Sequence, residues 1–380
     1  MTKVFIDGSA GTTGPRIHQR LAQRQDITLL ALPEELRKDD AARQAALNEC
    51  DIAFLCLPDA AAKQAVSLVT NPNTVIIDTS TAHRTAPGWA YGFPELGDSF
   101  AQAVKNGKHI AVPGCHASGF IALVQPLVSV GLLAKDALLP CHSVTGYSGG
   151  GKAMIAQYEN SARSPLLDAP RQYGLSQQHK HLPEMQAITG LESPPIFCPI
   201  VADFYSGMAV TVPLFASQLK GSAEDVCQLY QSFYTGPVVH WKDGCGEEGF
   251  FSAAALTGLD GMKISVAGNG DRILLTARYD NLGKGASGAA VYTTSLVKGA
   301  PLLVTKEHLA DGTAQAILCN SGNANTCNAD GPQIANAMCQ LAADQLGLAP
   351  EDMAIASTGV IGQPLNLEVI QAGMARWRRT

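Results

Sequence analysis

Short apolar runs separated by polar, helix-forming stretches set the rhythm of the amino-terminal part of the chain. Val4-Phe-Ile-Asp, Ile27-Thr-Leu-Leu-Ala-Leu, Ile52-Ala-Phe-Leu-Cys-Leu and Val75-Ile-Ile-Asp are continuous rather than alternating. That is the pattern of strands buried on both faces of a parallel sheet. A helix is expected from about 15 to 23, with Ile17 and Leu21 four apart and Pro15 in its first turn, where a missing N–H costs nothing. Further helices are expected over about 41–48 and 60–68, completing βαβ units. The fold predicted for this region is α/β, a Rossmann-type doubly wound parallel sheet.

From about Cys115 the texture changes. A long apolar stretch, Gly119 to Leu139, is interrupted by Gln125, Pro126, Lys135 and Asp136 and reads as a buried helix rather than a membrane span. Alternating segments follow, such as Ala209-Val-Thr-Val-Pro-Leu-Phe and Met262-Lys-Ile-Ser-Val, the period of half-exposed strands. An α+β domain with a mostly antiparallel sheet is expected. The predicted domains are 1–114, 115–281 and 297–380, with a helix over 282–296 packing back on the first.

With 46% apolar and 16% charged residues among 380, and a mean hydropathy of +0.06, the chain has ample core material and disorder is excluded. The 27 basic and 33 acidic residues give a net charge of −6 with no basic block, so a nucleic-acid surface is not expected. The chain opens straight into a strand-like run, leaving no room for a signal peptide. Ten cysteines without a Cys-x-x-Cys suit reduced thiols in the cytoplasm better than disulfides or a zinc site.

Several stretches carry candidate chemistry. Gly8-Ser-Ala-Gly11-Thr-Thr-Gly14 follows the first strand and precedes the first helix, where glycines and free N–H groups suit a pyrophosphate. No acidic residue at the end of the second strand stands out as a partner for a ribose 2′-OH, since Leu29-Leu-Ala-Leu-Pro leads into Glu34 and Glu35. Arg37 and Lys38 beyond them could instead hold a 2′-phosphate, which favours NADP over NAD. Val112-Pro-Gly-Cys115-His-Ala-Ser-Gly119 places a cysteine at the start of the long apolar helix, where the macrodipole favours a thiolate nucleophile. Gln178-His179-Lys-His181-Leu-Pro-Glu184 supplies an acid–base group, with Glu184 spaced to orient His181 if both lie on one helical turn. His-x-His also occurs in metal sites, but no further ligand cluster lies close in sequence, and no metal is assigned. For an anionic substrate, Arg84 follows the fourth strand, and Gly146-Tyr-Ser148-Gly-Gly-Gly151-Lys152 forms a loop of free N–H groups.

These motifs, with Asp78-Thr-Ser-Thr-Ala-His-Arg, Tyr91-Gly-Phe-Pro-Glu-Leu and Asn281-Leu-Gly-Lys-Gly-Ala-Ser-Gly, resemble N-acetyl-gamma-glutamyl-phosphate reductase of the shorter, second type over residues 2–296. The resemblance implies a semialdehyde-dehydrogenase-type catalytic and oligomerisation domain, a homo-oligomer (tetramer or dimer), and a small acyl-phosphate substrate. It implies NADPH-dependent reduction of N-acetylglutamyl 5-phosphate to the semialdehyde in arginine biosynthesis. On that resemblance Cys115 would be the nucleophile forming a thioester, and His181, held by Glu184, would move the proton. His179 is the fallback acid–base group and otherwise a substrate contact. Arg84, Ser148 and Lys152 would line the substrate and phosphate site. Gly8, Ser9, Gly11, Thr12, Thr13 and Gly14 would hold the pyrophosphate, with Asn281 near the nicotinamide. Two other readings remain open: an aspartate-semialdehyde-type dehydrogenase, and a catalytically silent scaffold of the arginine pathway.

Beyond Ser295 the reductase pattern gives way. Thr293-Thr-Ser-Leu-Val-Lys-Gly-Ala-Pro-Leu-Leu-Val, Asn320-Ser-Gly-Asn-Ala-Asn and Ala356-Ser-Thr358-Gly359-Val-Ile-Gly resemble the amino-terminal half of ornithine acetyltransferase. There Thr358-Gly359 would correspond to the oxyanion-hole pair. The Met-Ala-Thr-Met segment that frees that family's threonine nucleophile does not occur in the sequence. The expectation is an incomplete α/β module with uncovered apolar surface and no acetyltransferase activity of its own.

Overall fold

The structure, a computed structural model, describes residues 1–8, 11, 13–22, 24, 26–244, 246–287, 300–308, 313–323, 325, 330–360 and 365–374. The chain divides into two compact units, Met1–Thr294 and Ser295–Thr380.

The first unit contains two sheets. Six parallel strands, β1 (Thr2–Asp7), β2 (Ile27–Leu30), β3 (Ile52–Leu55), β4 (Val75–Asp78), β5 (Ala90–Tyr91) and β6 (His109–Ala111), lie in the order β2-β1-β3-β4-β6-β5. Helices α1 (Thr13–Leu21), α2 (Asp40–Glu49), α3 (Asp59–Leu68) and α4 (Asp98–Asn106) connect them. Strand order reverses beside β1, so a crevice opens at the carboxyl ends of β1 and β3, where such sheets bind ligands. The expected strands are all present. The short β5 and β6 and helix α4 had no comparable apolar signal.

The second sheet takes its core from one helix. Helix α5 (Cys115–Ser129) buries Phe120, Ile121, Leu123, Val124 and Leu127 completely and is apolar on all sides, as a helix wrapped by protein must be. It ends ten residues short of the apolar stretch expected to be helical, and Gly131 turns the chain with φ +77°. Against it packs a mixed seven-stranded sheet. Its strands are β7 (Pro140–Gly146), β8 (Arg171–Gln172), β9 (Ile196–Ala202), β10 (Met208–Phe215), β11 (Val239–Trp241), β12 (Met262–Gly268) and β13 (Arg272–Tyr279), ordered β11-β12-β13-β10-β7-β9-β8. Four of its six pairings are antiparallel. Helices α6 (Gly151–Glu159), α7 (Leu182–Thr189) and α8 (Ala223–Phe233) complete the layer. After β13 the chain makes a π-helical turn, Gly283–Ser287, that lies against α1 and α5. The rest of the helix expected over 282–296 lies outside the described residues, apart from that turn and Leu282.

The second unit pairs β14 (Ala316–Asn323) with β15 (Met353–Val360) in parallel, with the helix Gly331–Leu346 between them in sequence. Its core joins Val304, Leu318, Met338, Cys339, Met353 and Ile355, while Ile317 and Val369 stand exposed. Thr358 and Gly359 sit near the end of β15, in register with Ser321 and Gly322.

Candidate active site

Cys115 is the first residue of α5, and with Gly114 as its cap no cap side chain takes up the first N–H groups of the helix. The helix start is fixed from β13: Tyr279 Oη donates to the Cys115 carbonyl at 2.5 Å and accepts the Gly119 N–H at 3.0 Å. Gly114 has no room for a side chain. A Cβ there would lie 2.4 Å from Arg84 Nη1 and 2.5 Å from His181 Nε2. The loop before Cys115, the arginine and the histidine therefore converge on one point.

A cavity of about 390 Å³ opens over Cys115. Arg84, His116, Ser148, Tyr173, His179, Lys180, His181 and Asn281 line it, with Thr13 from the start of α1. The resemblance-based assignments Cys115, Arg84, Ser148, His179, His181, Asn281 and Thr13 thus gather around one space. Asn281 is buried, donating to Ser148 Oγ at 3.1 Å and accepting the Gly207 N–H at 2.9 Å. Lys152 is not among the lining residues: it is exposed on the first turn of α6.

The role expected for Glu184 is also revised. It does not hydrogen-bond His181. Its Oε1 accepts from the Gly114 N–H and from Tyr91 Oη, both at 2.7 Å, and its Oε2 accepts from Arg84 Nη1 at 3.0 Å. The i, i+3 argument assumed both residues within the helix, but His181 only caps α7. Glu184, 2% exposed, is drawn to three donors on the other side instead. His181 Nδ1 is buried without a hydrogen-bond partner among the described residues. Arg84 also donates to the Val112 carbonyl at 2.9 Å and the Thr79 carbonyl at 3.2 Å. It is a keystone of the loop as much as a face of the cavity.

Burial sets the proton positions. It pushes the Cys115 thiol above its ordinary value, outweighing the attraction of Arg84 and Lys180. The helix start had suggested the reverse; the dry surroundings win. Burial first, then Arg84 and the neighbouring basic groups, hold the His181 imidazole well below its ordinary value. Both groups are therefore held in their uncharged forms, a thiol and an imidazole, and burial makes proton transfer between them harder than it would be in water. His116 falls to about 3 through burial, with smaller contributions from His179 and Lys180. Its Nδ1 meets Ser143 Oγ and its Nε2 meets Tyr173 Oη, each at 2.6 Å. The three imidazoles cluster, with centroids 4.8 Å apart for His179 and His181 and 5.6 Å for His116 and His181.

A second cavity, about 1100 Å³, runs past Gly8, Pro15, Leu30, Glu34, Glu35, Arg37 and Lys38. Gly8 has φ +87°, and a Cβ would meet the Cys56 carbonyl at 2.3 Å, so only glycine makes this turn. Gly11 closes it with an N–H to the Gly8 carbonyl at 3.3 Å, and Gly14 is buried in the first turn of α1. Ser9 and Thr12 lie outside the described residues. Asp7 is occupied by a buried ion pair with Arg43 at 2.9 Å.

The comparisons agree with this architecture. Residues 3–103 match the semialdehyde dehydrogenase NAD binding domain, 115–281 the semialdehyde dehydrogenase dimerisation domain, and 272–380 the ArgJ family. The N-acetyl-gamma-glutamyl-phosphate reductase 2 of Pseudomonas putida is 44% identical over 306 residues, covering 78% of this chain and 97% of that protein. The chain belongs to the N-acetyl-gamma-glutamyl-phosphate reductase family. Another member, from Rhizobium meliloti, is 44% identical over 307 residues, 78% of this chain and 99% of its own. This chain shares its fold with aspartate semialdehyde dehydrogenase II of Vibrio cholerae, solved with ASA, at a TM-score of 0.57 and 17% identity over 77% of this chain and 97% of that one. The Candida albicans aspartate semialdehyde dehydrogenase, solved with NADP, gives 0.53 at 15% identity over 77% and 97%.

What the sequence did not single out is now visible. Tyr91 and Gly114 hold Glu184, and nothing in the sequence around Tyr91 assigns it that role. Lys180 lies between the two histidines. His116 directly follows Cys115, yet Ser143 and Tyr173, its partners, carry no local signal.

Proposed function

We propose that the chain catalyses NADPH-dependent reduction of N-acetylglutamyl 5-phosphate to the 5-semialdehyde in arginine biosynthesis, with Cys115 as nucleophile. The observation that carries it is the convergence of Cys115, His181 and Arg84 at Gly114, on the wall of a cavity that also receives Thr13 from the glycine turn. Neutral His181 takes the thiol proton as sulfur attacks the acyl carbon. The C–S bond forms, the C–O bond to phosphate breaks, and a thioester remains. After reduction, the thiohemiacetal oxyanion collapses, its C–S bond breaks to release the aldehyde, and Cys115 takes back the proton that His181 held. Acid–base help of this kind contributes about 10²- to 10⁴-fold. Glu184 and Tyr91 keep the loop in place, and Ser148 and Asn281 furnish polar contacts on the wall.

Gly8, Gly11, Thr13 and Gly14 would hold the cofactor pyrophosphate at the amino end of α1, where the absence of a Cβ at Gly8 leaves the backbone approachable. Arg37 and Lys38 on the second cavity support NADP over NAD. When bound there, NADPH supplies the hydride.

A homo-oligomer fits the larger sheet. Strand register puts Ile196, Phe215 and Leu274, exposed by 64%, 61% and 40%, on the face turned away from α5. A second copy is the cover we assign to it. The described cysteines are free thiols, in keeping with a cytoplasmic enzyme, and no described helix is long and apolar enough to cross a membrane. We treat 1–114, 115–281 and 297–380 as the working domains, and no acetyltransferase activity is assigned to the last. Rates with N-acetylglutamate semialdehyde and with aspartate semialdehyde test the substrate: preference for the second would move the chain to the sister activity.

A further inference from the structure

Two basic side chains line the Cys115 cavity, Arg84 and Lys180. Arg84 is spent within the protein. Glu184 balances its charge at 3.0 Å, and the Val112 and Thr79 carbonyls take further N–H groups. Lys180 differs. It is exposed at the cavity edge, between two wall histidines, and makes no ion pair or hydrogen bond with the described residues. Asp59 feels its charge but spends its own oxygens on Thr81. Lys180 lines the same cavity as Cys115, His116, His179 and His181, and its charge is felt by all four. Lys152, the lysine expected here, does not line the cavity.

We propose that Lys180 is the residue that holds the phosphate of the acyl-phosphate substrate, and inorganic phosphate in the reverse direction; this rests on the reductase reading above. An acyl phosphate carries its negative charge on the group that leaves. As sulfur bonds to the acyl carbon, the C–O electron pair departs with phosphate, and an uncommitted ammonium can follow that growing charge while keeping its own protons. Its long flexible stem lets the ion leave with the product.

The test is steady-state kinetics in the NADP-reducing direction, varying inorganic phosphate at saturating N-acetylglutamate semialdehyde, for wild type, Lys180→Gln and Lys180→Arg. Because Lys180 is exposed, folding is not at stake. The expected result is a phosphate KM raised at least about tenfold in the glutamine variant, with semialdehyde KM within about twofold and recovery to within about threefold in the arginine variant. An unchanged phosphate KM in Lys180→Gln would overturn the assignment. If only the pH profile of Cys115 alkylation then moved, Lys180 would be a modulator of the thiol and not a phosphate ligand. Wild-type enzyme lacking phosphate-dependent turnover would overturn the reductase reading itself, and this inference with it.

Discussion

Glu184 accepts the backbone N–H of Gly114 at 2.7 Å, so a carboxylate on α7 grips the peptide immediately before Cys115. The same carboxylate pairs with Arg84, the two side chains being 2% and 8% exposed. Replacing Glu184 by Gln leaves the guanidinium without a counter-charge. Removing one partner of a buried pair costs about 3–5 kcal/mol. Urea unfolding should show a loss of that order, and kcat should fall because the loop that carries Cys115 is released. Tyr91→Phe, removing one hydrogen bond to a charged acceptor, should cost less, about 1.5–3 kcal/mol.

Gly114→Ala probes the same point by crowding. The new methyl would overlap Arg84 Nη1 and His181 Nε2, and both must move. Turnover should drop at least about 10²-fold, the scale of a displaced acid–base group, while NADPH binding, measured by fluorescence titration, stays within twofold to threefold, about what an untouched site allows.

His116 makes acid stability measurable. Its folded value, about 3, lies below its unfolded value near 6.5, so the unfolded chain binds more protons between those limits. The stability that goes with a neutral His116 is therefore complete above pH 6.5 and lost as pH falls towards 3, at up to about 1.4 kcal/mol per pH unit. His181 and His179 act in the same direction. Denaturant midpoints for wild type should fall through this window, and His116→Gln, less stable at neutral pH, should show a shallower slope.

Arg37 and Lys38 on the second cavity decide cofactor choice if the 2′-phosphate lies there. Arg37→Ala and Lys38→Ala should each weaken NADPH binding by about tenfold, the scale of a lost charge-assisted contact, and leave NADH binding nearly unchanged. Equal loss for both cofactors would place the phosphate elsewhere.

Much of this molecule was legible in its sequence, for physical reasons. Doubly buried strands must be continuously apolar, so β1 to β4 and their βαβ order could be read directly. The Gly8 turn and the Cys115 helix start announce themselves because each needs a glycine, the first for its positive φ and the second for want of room beside Arg84 and His181. What could not be read was the long-range partnering of short polar side chains. Glu184 lies close in sequence to His181, yet its partners come from residues 84, 91 and 114. Ser143 and Tyr173 meet His116 from two different strands' neighbourhoods. Desolvation was invisible too, which is why the thiol shifts up where the helix start alone implied down.

The most direct measurement is the reverse reaction of wild type and Cys115→Ser with N-acetylglutamate semialdehyde, NADP and phosphate, followed by NADPH absorbance, with NADPH affinity measured in parallel. Wild type should turn over only when phosphate is present, and the serine variant should bind NADPH normally yet be almost inert, since a serine hydroxyl stays un-ionised at neutral pH. Substantial turnover by Cys115→Ser, or turnover by wild type that ignores phosphate, would show that the reaction does not pass through a Cys115 thioester.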